Sequence, residues 1–141
     1  MVGAHRRAQV GLLAHYAAEY RPARRALRTT LEHVRAEKGT IALFGAGHLA
    51  CAFANFMGVA DPISFVADDT PRKQGKFLPG ARLPILPSAA LAEQGIALCL
   101  LALSITNEDA VIGRNEAFTR AGGTFRSVFR ASPRSVFTPW V

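Results

Sequence analysis

Two stretches of this chain combine residue types that could do chemistry. The first is Phe44-Gly45-Ala46-Gly47-His48-Leu49-Ala50. Its spacing suits a strand-to-helix turn at which Gly45 allows the tight bend, Gly47 lets a phosphate approach the backbone, and Ala50 permits close helix–strand packing. A helix opening there offers unpaired N–H groups and the positive end of its dipole. The second stretch is Asp68-Asp69-Thr70-Pro71-Arg72-Lys73-Gln74-Gly75-Lys76-Phe77-Leu78-Pro79-Gly80. Asp68 lies about 20 residues beyond the glycine turn, where a carboxylate accepts from ribose hydroxyls in dinucleotide sites. Arg72, Lys73 and Lys76 are placed to reach a diphosphate, although the same cations suit a solvated loop. The glycine pattern also fits a turn that binds nothing.

His48, on the first turn of that helix, is the one candidate acid or base. A helix N-terminus disfavours imidazolium, and no nucleophile or second base stands beside His48 in sequence, so no catalytic residue is assigned. Asp68 and Asp69 alternate faces on an extended chain and have no third ligand nearby, so no metal site is expected. Asp68 is expected to face the ligand and Asp69 to act as a turn or capping acceptor beside Thr70-Pro71.

The elements that must position these residues alternate in period. Val10, Leu13, Ala14, Ala17 and Tyr20 recur at helical spacing over residues 4–20. A second helix is expected over 22–37, opened by Pro22 and closed by Lys38-Gly39. Short apolar runs follow at 41–44, 63–67, 83–86 and 97–103, with an alternating run at 124–129. Helices are expected between them at 48–57, 88–94 (capped by Ser88) and 107–121 (capped by Thr106 or Asn107). Alternating strands and helices predict an α/β, Rossmann-like, doubly wound parallel sheet of about five strands, with strand 41–44 central. An N-terminal helical segment, 1–38, precedes the Rossmann-like domain, 39–141, the two forming a single domain overall. Ligands of such sheets bind beyond the carboxyl ends of the strands where the winding reverses. That places the cleft at residues 45–49, 68–70 and 104–107, with Ser104 or Thr106 on its far wall.

The 141 residues suffice for one well-cored domain, and half of them are hydrophobic, which argues against disorder. No apolar run approaches the roughly 20 residues of a membrane span, and no secretory signal pattern opens the chain. Cys51 and Cys99 are far apart and sit in apolar runs, which reads as buried, reduced thiols in a cytoplasmic protein. The net charge of +7 is carried largely by arginines early in the chain and by Arg126, Arg130 and Arg134 near its end. Such a surface attracts phosphates or an acidic partner, but no helix-turn-helix, zinc-finger or aromatic-interleaved basic pattern supports nucleic-acid binding.

Across roughly residues 24–137 the chain resembles the C-terminal domain of the sugar C-methyltransferases. The spacing Asp68-Asp69-x-Pro71-x-Lys73-Gln74-Gly75-x-x-x-Pro79-Gly80 carries the resemblance, with Pro84-Ile85 and the Gly122-Gly123-x-Phe125 run. That family methylates a carbon of a nucleotide-linked deoxyketosugar, and its Rossmann-like domain follows a zinc-binding domain and an S-adenosylmethionine-binding domain. Neither the cysteine cluster nor the methyl-donor segment is present in this sequence. The first turn and Leu103-Ser104-Ile105-Thr106-Asn107 also depart from the family pattern.

The resemblance implies an accessory nucleotide-sugar-binding domain with no tightly bound cofactor and no methyl transfer by this chain alone. S-adenosylmethionine would enter through a separate or missing methyl-donor domain. The site residues expected are Gly45, Gly47 and His48 at the phosphates, Asp68 at a ribose or sugar hydroxyl, Lys73, Ser104 and Thr106. Two alternatives stand beside it: an NAD(H)-binding domain with a sensing or dehydrogenase-like role, and a protein-interaction module that could be a homodimer.

Overall fold

The computed structural model of the chain describes residues 21–138. The helix expected over 4–20 lies outside the described residues. A helix already formed at residue 21 runs to residue 37 and is called α1. It ends as Lys38-Gly39 suggests: both their N–H groups donate to the Val34 carbonyl, at 2.7 and 3.0 Å, and Gly39 takes a φ of +135°. Positive φ costs glycine little and any other residue more.

Ten further elements follow: β1 (Ile41–Phe44), α2 (His48–Phe56), β2 (Ile63–Ala67), β3 (Ile85–Leu86), α3 (Ala90–Glu93), β4 (Leu98–Leu101), a 3₁₀ turn (Ile105–Asn107), α4 (Glu108–Arg114), α5 (Glu116–Arg120) and β5 (Thr124–Ser127). The five strands form one parallel sheet in the order β3-β2-β1-β4-β5. β1 is central, and the winding reverses between β1 and β4, as the sequence predicts. The fold is therefore α/β and Rossmann-like.

The apolar runs are continuous because both faces of the sheet are covered. Ile41 and Leu43 of β1, with Leu98 and Leu100 of β4, face a core built with Leu27, Leu31 and Val34 of α1 and Ala50, Phe53 and Ala54 of α2. Ala42 and Phe44, with Cys99 and Leu101, face the other core, which holds Leu91, Val111, Phe118 and Phe125. Arg24 and Arg35 add side-chain hydrogen bonds from α1 to the Met57 and Pro62 carbonyls.

Several boundaries differ from expectation. The helix expected over 107–121 is split at Asn115, whose side-chain amide donates to the Val111 carbonyl at 2.8 Å. That local bond competes with the helical ladder. Neither Ser88 nor Asn107 nor Thr106 caps a helix through its side chain. β3 shrinks to two residues because Pro84 has no N–H, although its carbonyl still accepts from Val66 at 2.9 Å. β5 stops at Ser127, whose N–H donates to the returning chain at Arg134. No helix among the described residues is long and apolar enough to cross a membrane.

Candidate functional site

The glycine turn leaves the carboxyl end of β1. Gly45 has a φ of +98°, and its N–H donates to the Ala67 carbonyl at 2.8 Å. A Cβ at Gly45 would lie 3.1 Å from the Ala102 carbonyl oxygen at the end of β4. Conformation and close approach therefore both require glycine here. Gly47 is different. It is the N-cap of the nine-residue α2, has an ordinary φ of −123°, and makes no side-chain cap bond. A Cβ there would meet nothing within 4 Å, so the space beside Gly47 is open. His48 and Leu49 are exposed on the first turn, and Ala50 is fully buried against the sheet. The first N–H groups of any helix lack a partner within it, and the dipole adds partial positive charge.

Asp68 stands at the end of β2, beside that turn and almost buried. Its Oδ2 accepts from the Ala46 N–H at 2.8 Å and its Oδ1 from the Thr70 N–H at 2.8 Å. Burial pushes its pKa up, but the hydrogen bonds from Thr70 and Ala46, with the charge of Lys73, outweigh it and hold the carboxyl below its ordinary value. Lys73 Nζ lies 3.6 Å from Asp68 Oδ2, and Gln74 Nε2 donates to the Asp68 carbonyl at 3.1 Å. Arg72 and Lys76 are exposed on the same loop. Asp69 is an acceptor, as expected, but across the fold: it takes the Ser88 N–H at 2.9 Å and the Ser88 hydroxyl at 2.8 Å.

Ser104 and Thr106, expected on the far wall, are exposed and their hydroxyls lie 2.9 Å apart. The sequence reading missed the buried carboxylate that follows them in the chain. Glu108 accepts from Ser132 Oγ at 2.7 Å and pairs with Arg134 at 3.6 Å, leaving its Oε1 buried and without a partner among the described residues. A glutamate in the first helical turn suits the dipole, but nothing local in the sequence marks it as buried. Gln74 was likewise legible only as part of a motif. A groove of about 950 Å³ between α1 and Val136–Thr138 shares no residue with this site. Among the described residues, no three His, Cys, Asp or Glu side chains converge as a metal site.

Fold and site together define a Rossmann-like α/β domain with an open glycine turn. The sequence matches the C-methyltransferase C-terminal domain over residues 4–129, and the chain belongs to that family. Among solved structures it is similar to RSP, a Rex-family repressor, with a TM-score of 0.50 and 16% identity over 69% of this chain and 50% of that one. RSP in complex with beta-NAD+ and operator DNA gives a TM-score of 0.48 at the same identity, over 69% of this chain and 48% of that one. The chain thus spans about half the length of these proteins, and the first likeness speaks for the fold alone. No curated protein matches the chain.

Proposed function

We propose that this chain is an accessory domain that holds a nucleotide-linked sugar through its diphosphate, while a methyl-donor domain elsewhere supplies S-adenosylmethionine. Membership of the C-methyltransferase C-terminal domain family supports the class of reaction it would serve. Its contribution is orientation of the acceptor rather than bond-making. One observation carries the reading: the open space at Gly47, at a helix start without a side-chain cap, with the Lys73 ammonium linked to the same turn through Asp68 Oδ2. Diphosphate oxygens would take the first N–H groups of α2 and the Lys73 ammonium, with His48 at the rim and Ser104 or Thr106 opposite.

Isothermal titration or thermal shift with nucleoside diphosphates, a nucleotide sugar, NAD and S-adenosylmethionine tests it. A ligand that binds only the folded state raises the melting temperature as its concentration passes its dissociation constant. A shift with nucleoside diphosphates and their sugars is expected, and none with S-adenosylmethionine. Absence of saturable nucleoside diphosphate binding at millimolar levels would sink the proposal. A response to NAD alone would replace it with the dinucleotide reading.

A further inference from the structure

Resting on the reading of the glycine turn as a diphosphate site, we infer that Asp68 is a positioning residue that shapes the turn and holds Lys73 toward the ligand. The cleft would then read phosphate charge and would not select between ribose and deoxyribose.

A carboxylate that recognises a ribose diol must turn acceptor oxygens toward the ligand. Both oxygens of Asp68 are instead engaged by backbone N–H groups, Ala46 on the turn and Thr70 on its own loop, each at 2.8 Å, and the acceptor capacity left on them lies in a nearly buried side chain. Its side chain is only 12% exposed, against 37% for Lys73. Lys73 is therefore the more accessible side chain of the pair. At 3.6 Å its ammonium is attracted to Oδ2 by charge but is beyond ordinary hydrogen-bond length, so its N–H donors stay available. It also lies close to the turn, since the same Oδ2 bridges it to the Ala46 N–H. Gln74 fixes the base of this arrangement by donating to the Asp68 carbonyl. Asp69 behaves in the same way, spending both oxygens on Ser88 at the turn that follows β3. The two adjacent carboxylates thus fasten separate connections at the carboxyl edge of the sheet, and the exposed cations of the loop are left for an anion.

The test compares uridine diphosphate with 2′-deoxyuridine diphosphate on the wild-type chain, Asp68→Asn and Lys73→Met, alongside the Ala46 and Thr70 amide resonances during acid titration without ligand. The two diphosphates should bind the wild type within about threefold of each other. Lys73→Met should weaken both alike by about tenfold or more, as loss of one charge-assisted hydrogen bond implies. Asp68→Asn should weaken both without changing their ratio and should move the Ala46 amide. The Ala46 and Thr70 amides should titrate together in the wild type. A preference for the ribo form of tenfold or more that disappears in Asp68→Asn would overturn the inference. So would an Ala46 amide indifferent to acid. If neither diphosphate binds, the diphosphate reading falls together with the ligand half of this inference. The hold of Asp68 on the turn is still decided by the Ala46 amide.

Discussion

Gly45 and Gly47 make opposite demands on an alanine, and the pair gives the sharpest test of how the turn is built. At Gly45 an alanine must adopt a φ of +98°. A residue held in so sparse a region costs about 1–3 kcal/mol. Its Cβ would also press to 3.1 Å from the Ala102 carbonyl oxygen. Crowding of this kind adds about 1 kcal/mol or more. Gly45→Ala should therefore lose about 2–4 kcal/mol, or roughly 10 °C in melting temperature for a domain of this size. At Gly47, φ is ordinary and the Cβ meets nothing. A weaker N-cap and a less flexible unfolded chain roughly offset each other, so Gly47→Ala should stay within about 1 kcal/mol of wild type. Its effect should fall on ligand binding, because the methyl group fills the space where a phosphate would sit. Thermal unfolding by circular dichroism, with a diphosphate titration on each variant, separates the two. A Gly45→Ala chain that melts within a degree or so of wild type would refute this account of the turn.

Glu108→Ala should cost about 1–3 kcal/mol, because it strips the buried Ser132 hydroxyl of its acceptor, and urea denaturation would measure it. The lowered pKa of Asp68 makes its contribution to stability complete above the unfolded carboxyl value of about 3.9 and lost as pH falls through the lower folded value. The acid limb of a stability–pH curve should therefore flatten in Asp68→Asn; an unchanged limb would remove this assignment. Burial in the centre of β4 pushes the Cys99 thiol pKa up, so a thiol reagent should modify half-buried Cys51 in the native chain and reach Cys99 only on unfolding. Equal labelling rates of the two native thiols would contradict that.

Much of the fold was legible because its requirements are local or periodic. Ile41–Phe44 and Leu98–Leu101 read as central strands since both faces of each are covered, so no polar residue interrupts them. Lys38-Gly39 and the glycine turn are backbone requirements that residue type alone reveals. The split at Asn115 was not legible, because it depends on one side-chain bond to Val111. Nor was the partner of Ser88, Asp69, which lies 19 residues away. Propensity favoured a helix cap at that serine, but the helix opens with Ala89 at its N-cap and the serine hydroxyl donates to Asp69 instead.

The role of Asp68 shows why a site can be half-read. A carboxylate at the end of the second strand is visible in sequence, but the face on which it emerges is not. β1 and β2 begin in register at Ile41 and Ile63, yet Leu43 pairs with Val66 and Phe44 with Ala67. β2 thus contains one residue more than its partner between these points, as a bulge does. The cores register the same shift: Ile63 belongs to the α1–α2 side, Phe65 to the opposite side, Val66 to the α1–α2 side and Ala67 to the opposite one. Alternation then places Asp68 on the face of α2, where the Ala46 N–H waits. Without the extra residue, strict alternation from Ile63 would send Asp68 to the other face, away from the turn. The irregularity that hid the strand's register is therefore what brings the carboxylate to the turn, and with it Lys73.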